Sequence, residues 1–284
     1  MPAALTILQK EVLGRADASQ SIGDIMLGLH LFSTNEGAAA WQDHLRRLDE
    51  LALGSDVRIH CSINVAEFIL RQCPNLSLGL IYRPARLHYC VWSSLIDANH
   101  LLNRESIILP FGAIAGRGAQ LEAMFGEYLF IRPDSSRKLF TGYSFPVEKL
   151  ASEVALLSQT YGIQPEDLIV IDRGRRLHPV EWRFWVSQGR IVTSAPYALA
   201  DGGVPRDEDI DLGQEETMRG LLEKIIETTP LLETLDDMLV MDMATEIMGG
   251  APRLVEINAW STSGFYPGAD VPAILREQRF AGAH

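Results

Sequence analysis

Apolar stripes and short apolar runs alternate along the first hundred residues. From Asn35 to Gly54, the residues Trp41, Leu45, Leu48 and Leu51 recur at helical spacing and Gly54 supplies a stop, which predicts a helix. Val57–Cys61 and Leu76–Tyr82 are short apolar runs that predict strands. Helices are predicted over Ala66–Gln72, between them, and over Ser93–Leu102. This alternation predicts an α/β lobe around a partly parallel sheet.

Beyond residue 110 the pattern turns strand-rich. Tyr128–Arg132 predicts a strand closed by Pro133, followed by the polar loop Asp134-Ser135-Ser136-Arg137-Lys138 and a return strand over Leu139–Phe145. Val147–Tyr161 predicts a helix with Leu150, Val154 and Leu157 on one face. Strands are predicted at Leu168–Asp172, Val180–Val186 and Arg190–Tyr197, the last two joined by the hairpin signal Ser187-Gln188-Gly189. Ala198–Glu215 is polar and rich in Gly and Asp, which predicts a mobile connection. A helix over Glu216–Thr228, strands over Met238–Ala244 and Arg253–Asn258 with a turn at Gly249-Gly250, and a helix over Val271–Phe280 complete the pattern.

Composition narrows the function. With 284 residues, 47% hydrophobic and 22% charged, the chain can bury a large core. Its net charge of −12 argues against nucleic-acid and anionic-membrane partners, which need a basic face. The three cysteines, Cys61, Cys73 and Cys90, have no metal-ligand spacing and read as reduced thiols of a cytoplasmic protein. No secretory leader pattern and no bilayer-length apolar run is seen. Only four lysines occur, so Lys138 inside a polar loop draws notice.

Three regions carry candidate chemistry, the first made of two consecutive predicted strands. In Leu254-Val255-Glu256-Ile257-Asn258-Ala259, strand alternation puts Glu256 and Asn258 on one face, roughly 7 Å apart. Hard oxygen donors on one face suit Mg²⁺, though a solvated polar edge has the same pattern. Asp242 is the only acid in the apolar run Val240–Ala244 and needs a partner: a metal, a backbone amide or an arginine. In the second segment, Arg132 ends one strand and Lys138 sits in the loop that follows, where hydroxyls, amides and cations can fold over phosphates. In the third, Val180–Val186, Glu181, Arg183 and Trp185 share a face, and Arg183 calls for an anion. Glu181 is one candidate and a phosphate is the other.

Taken in order, these elements resemble the ATP-grasp superfamily, and within it the clade named for two arginines and a lysine in place of two lysines. The resemblance runs from about Leu101 to Gly268, including Leu101-Leu102-Asn103 and Leu109-Pro110. It implies an α/β (α+β) ATP-grasp fold: an N-terminal α/β lead-in lobe over 1–110, and an ATP-grasp domain over 111–284. The latter would divide into a small central lobe, about 128–197, and a C-terminal metal-binding lobe, about 198–284. The ATP-binding residues implied are Arg132, Lys138, Arg183 and the adenine-holding strand Ile169, Val170, Ile171 and Asp172. The metal ligands implied are Asp242, Glu256 and Asn258. One departure stands out: the phosphate loop lacks the several glycines of many members.

The activity implied is an ATP- and Mg²⁺-dependent carboxylate–amine ligation that forms ADP through an acyl phosphate. Arg183 and Lys138 would be the catalytic cations, the amine and carboxylate would be small molecules or peptides, and Ala198–Glu215 would be a lid. Trp260-Ser261-Thr262-Ser263-Gly264 follows the metal strand, so Ser261, Ser263 and Gly264 become substrate candidates, against a plain turn. The alternatives are a phosphotransferase on the same fold and a nucleotide-binding protein without turnover.

Overall fold

The computed structural model describes residues 4–10, 29–35, 37–197, 205, 210–247 and 250–278. Its strands form three sheets. The first is a parallel sheet of Ala4–Gln9 (β1), Leu29–Phe32 (β2) and Asp56–His60 (β3), in the order β2-β1-β3. The helices Ala38–Leu51 and Ile63–Gln72 pack on it through Leu45, Leu48, Val65, Ala66 and Ile69. This is the partly parallel lobe that the alternating pattern predicts, because parallel strands need helical crossovers.

The second sheet is antiparallel and contains Ile107–Pro110 (β4), Tyr128–Pro133 (β5), Tyr143–Pro146 (β6) and Leu168–Arg173 (β7), in the order β4-β7-β5-β6. Leu129, Ile131, Ile169 and Ile171 point to one face. There they meet Leu121 and Phe125 of helix Gly118–Phe125, and Leu150 and Leu157 of helix Leu150–Tyr161. Alternation therefore turns Arg132 and its register partner Val170 to the opposite face.

The third sheet is also antiparallel. It contains Trp182–Ser187 (β8), Arg190–Pro196 (β9), Met238–Ala244 (β10) and Arg253–Ala259 (β11), in the order β11-β10-β8-β9. Trp182, Phe184, Met241, Met243 and Ile257 face helix Leu212–Thr228, with Met218, Leu222 and Ile225 beneath them. The hairpin between β8 and β9 turns at Gln188 and Gly189, both at positive φ, as a two-residue connection between twisted strands requires.

Several expected elements differ. Leu76–Tyr82 is not a strand: Pro74–Ser77 is a helical turn, and the chain then passes beside β3 with the bond Ile59 N–H to Gly79 O at 3.2 Å. A Cβ on Gly79 would lie 2.7 Å from the Val57 carbonyl, so only glycine permits this approach. Leu51 closes the first helix but is 70% exposed, because burial there rests on Leu45 and Leu48. Ser93–Leu102 is not a continuous helix; a helix over Tyr89–Ser93 and a 3₁₀ turn over Ala98–His100 stand instead, and the Asp97 side chain caps the second. The return strand is shortened to Tyr143–Pro146, and Leu139 belongs to the loop.

Sheet membership changes between β7 and β8, not at residue 197, and β4 pairs with β7 although it precedes residue 111. Most of the Ala198–Glu215 connection, part of the Gly249-Gly250 turn and the end of the Val271–Phe280 helix lie outside the described residues. Within that connection the helix begins earlier than expected, at Leu212, where the Asp211 carboxylate caps it.

Candidate active site

Strand register places a row of charges across the third sheet. Arg183 on β8 and Glu256 on β11 are both direct Cα partners of Asp242 on β10. Side chains that face one another across antiparallel strands share a face. Arg183 grips Asp242 with both arms of its fork, Nε to Oδ1 and Nη2 to Oδ2, each at 2.8 Å. The Asn258 side-chain amide donates to Asp242 Oδ2 at 2.9 Å, leaving Oδ1 of Asn258 for another partner. The Arg183 guanidinium also lies over the rings of Tyr197 and Tyr266, 4.5 and 5.2 Å from their centroids.

Glu256 is held differently. Arg132, from β5 of the second sheet, donates Nη2 to its Oε1 at 2.6 Å. Lys138, from the loop after β5, places Nζ 2.8 Å from its Oε2. Lys138 has φ of 49°, in the left-handed region that costs any residue with a Cβ about 1 kcal/mol or more. The loop crosses close over Arg132 at Gly142, where a Cβ would lie 3.0 Å from Arg132 Cβ and 2.8 Å from the Phe130 ring. Any side chain at that crossing would have to displace the Phe130 ring and press on Arg132.

The electrostatics follow from these contacts. Burial alone would raise the Glu256 carboxyl, but Lys138 and Arg132, with Arg183 behind them, hold it well below the usual carboxylate range. Glu181 is the reverse case. Burial, and then the negative charge of Asp242, push its carboxyl up to about 7. The same burial drives the Tyr197 phenol far above its ordinary value. Arg183 keeps its proton firmly: burial works against the charge, but Asp242 more than compensates.

A cavity of about 60 Å³ lies where the N-terminal lobe meets this row, lined by Tyr82, Ser136, Lys138, Arg183, Asn258 and Thr262, among others. It is far smaller than the roughly 300–1,000 Å³ typical of ligand pockets, and Lys138, which helps line it, is held against Glu256. Tyr82, Leu87 and Ile63 come from the lead-in lobe, in which the sequence singled out no site residue. Only the three-dimensional approach of that lobe could have found them.

Asp242, Glu256 and Asn258 converge as expected, and Arg132, Lys138 and Arg183 converge on them. Other expectations are corrected. The anionic partner of Arg183 is Asp242, not Glu181. Ile169, Val170, Ile171 and Asp172 form a central strand, buried and paired with β4 and β5. The Asp172 carboxylate is taken up by Arg175 and by the Arg173 and Glu105 amides. The backbone of this strand is committed to the sheet, and Val170 is fully buried in the core. Ser261 is a buried staple between lobes: its Oγ accepts from Ile81 N–H at 2.9 Å and its carbonyl accepts from Cys61 N–H at 2.9 Å. Ser263 donates to the Ala259 carbonyl at 2.8 Å, and Gly264 presents its carbonyl to Arg183 at 3.5 Å.

The geometry defines a class. A profile of the ATP-grasp domain, that of the third family in the clade named for two arginines and a lysine, matches residues 119–277, more than half of the chain. The chain belongs to that family. No curated protein matches it in sequence. Among solved structures it is similar to D-alanine–D-alanine ligase from Bacillus anthracis complexed with ATP (TM-score 0.55, 10% identity, covering 97% of this chain and 96% of that one). It is also similar to the D-cycloserine synthetase DcsG (TM-score 0.52, 10% identity, 90% and 91% covered). A third is N5-carboxyaminoimidazole synthetase from Staphylococcus aureus complexed with ADP (TM-score 0.53, 14% identity, 93% and 71% covered). These likenesses establish a shared fold that includes the N-terminal lobe. Among the described residues, no helix is long and apolar enough to cross a membrane.

Proposed function

We propose that this protein is an ATP-dependent carboxylate–amine ligase that forms ADP and phosphate through an acyl phosphate. One observation carries the reading: two cations, Arg132 from the second sheet and Lys138 from the loop after β5, meet on Glu256 of the third, beside Arg183 and Asn258. An arginine fork and a lysine point charge suit a polyphosphate chain. When phosphates draw them away, Glu256 is released as an oxygen donor next to Asn258 and Asp242. Glu256 and Asn258 fit Mg²⁺ in kind, since they offer hard oxygens on one strand face, and Asp242, on the neighbouring strand, could join them only through an oxygen it already shares with Arg183 and Asn258. A bound Mg²⁺ would supply neutralisation of phosphate charge.

The chain's own residues do the rest. Arg132 and Lys138 hold the phosphates in line. A substrate carboxylate oxygen attacks the γ-phosphorus and ADP leaves, giving the acyl phosphate. The amine then attacks the acyl carbon, and phosphate departs with the bonding pair. Arg183, oriented by Asp242, neutralises charge on the transferring group and on the tetrahedral intermediate. The lobe junction at Tyr82, Thr262 and Ser263 receives the carboxylate substrate, a small molecule or a peptide. With three unpaired cysteines and a need for ATP, the cytoplasm is the compartment we assign.

The test is ADP release from ATP and Mg²⁺ across paired acids and amines. ADP and phosphate that appear only when both substrates are present support the reading. AMP and pyrophosphate would replace it with adenylation, and a phosphorylated product from one substrate would make it a phosphotransferase.

A further inference from the structure

We propose that His88, Cys90 and Asp134 form a binding site for a thiophilic divalent cation, with Zn²⁺ as the best fit, at the root of the phosphate-covering loop. The three come from two segments. His88 and Cys90 flank the first residue of the helix Tyr89–Ser93, and Asp134 follows Pro133 at the end of β5. One atom of each, the His88 ring nitrogen, the Cys90 sulfur and an Asp134 oxygen, lies within 4.8 Å of the others.

Asp134 is buried, and its two oxygens have separate tasks. Oδ1 accepts the Cys90 backbone N–H at 2.8 Å and so caps the short helix. Oδ2 faces both His88 Nδ1, at 2.8 Å, and Cys90 Sγ, at 3.5 Å. Capping occupies the first oxygen, and an imidazole and a thiol both converge on the second as hydrogen-bond partners. A tetrahedral ion with ordinary Zn–S, Zn–N and Zn–O bonds separates its ligand atoms by roughly 3.4–3.6 Å. The 3.5 Å between Cys90 Sγ and Asp134 Oδ2 lies in that range, and the 2.8 Å between His88 Nδ1 and Oδ2, a hydrogen bond without an ion, would lengthen by roughly 0.6 Å as the side chains turn to an ion. Cys90 is exposed and His88 partly so, which gives an entry path and a fourth position for water. The mixed donor set selects Zn²⁺ over Mg²⁺, because thiolate and imidazole suit borderline-soft ions.

Proton bookkeeping is simple. The thiol loses its proton to solvent and binds as thiolate. His88 binds through a ring nitrogen that carries no proton, so occupation of the site is coupled to proton release. Occupation would tie the start of the Lys138 loop to the helix beneath Arg132; the Tyr89 amide already donates to the Asp134 carbonyl there at 2.8 Å. The site is separate from the Glu256 row, and its existence does not depend on the proposed ligation.

The experiment is titration of chelator-treated full-length protein with Co²⁺, a spectroscopic stand-in for Zn²⁺, in excess Mg²⁺ so that all-oxygen sites are filled. We expect one equivalent to bind with a thiolate-to-cobalt absorption band in the near ultraviolet, displaced by Zn²⁺. Cys90→Ser should abolish the band, and His88→Ala should weaken binding by more than the roughly 10–100-fold lost when an outer-shell partner is removed. Far-UV circular dichroism checks that both variants fold; each changes a side chain that is not buried in the core. Absence of the band in the parent protein overturns the proposal. So does a band that persists in Cys90→Ser, since its sulfur would then come from elsewhere.

Discussion

Arg183–Asp242 and Lys138–Glu256 are both cation–carboxylate contacts of 2.8 Å, and their carboxylates are neighbours across β10 and β11. They are built in opposite ways. The first lies within one sheet, is a two-pronged fork, and has side chains only 6% and 0% exposed. The second joins two sheets, shares its carboxylate with Arg132, and uses a lysine that is 40% exposed. A buried fork resists exchange, because separating it strands a charge in low dielectric. A split, partly solvated contact can trade one anion for another at little net cost. The closed pair sets geometry, and the open cluster can answer to a ligand.

The largest expected effect tests the closed pair. Arg183→Ala leaves the Asp242 carboxylate buried with the Asn258 amide as its remaining side-chain donor. Breaking a buried pair from one side costs about 3–5 kcal/mol. The urea midpoint should fall accordingly with the slope unchanged. Arg183→Lys keeps the charge but loses the fork, so it should lower kcat and also reduce stability, by less than the alanine change. A loss under about 1 kcal/mol for Arg183→Ala would place this pair in the exchangeable class.

Lys138→Ala tests the open cluster. Turnover should drop by about 10²–10³, in line with the loss of one donor to a developing charge. Melting temperature should barely move, because partly exposed ion pairs add under about 1 kcal/mol. A destabilised variant with normal single-turnover chemistry would reverse the assignment.

The pH dependence separates the two regions again. Glu256, with its carboxyl held below the ordinary 4.5, contributes stability that is present above that value and lost as pH falls through its folded pKa. Glu181, pushed up to about 7, binds its proton more tightly when folded. Its contribution is therefore favourable at low pH and is lost as pH rises from 4.5 to 7. Glu181→Gln should be more stable than the parent at pH 8 by up to about 3 kcal/mol, and the gain should shrink toward pH 5. Urea titrations at the two pH values decide it; equal differences at both would show that Glu181 does not titrate in this range.

The smallest effect is the control. Arg46 and Asp43 also meet at 2.7 Å, but their side chains are 47% and 65% exposed. Asp43→Asn should change stability by less than about 1 kcal/mol. A larger change would mean that short distance alone, without burial, measures these contacts.

Much of the local structure was legible in the sequence, because it depends on periodicity. The strands that became β5, β7, β8, β10 and β11 appear as apolar runs, and alternation along β11 put Glu256 and Asn258 on one face before any neighbour was known. The amphipathic stripe that became Ala38–Leu51 was legible for the same reason. Asp242 announced its need for a partner by standing alone among apolar residues. The sequence could not say that the partner is Arg183, since that follows from the β8–β10 register, a contact between residues 59 positions apart. Nor could it show that Leu76–Tyr82 begins in a helical turn and then passes beside β3 without becoming a strand, or that Ser261 staples two lobes, since apolar content is the same in a strand and in a buried connection. The sheet boundary after β7, the reach of Arg132 and Lys138 across to Glu256, and the meeting of His88 and Cys90 with Asp134 are all long-range events. Periodicity records which face of an element is apolar; which faces meet is decided by packing three sheets against one another, and that information is held by no single segment.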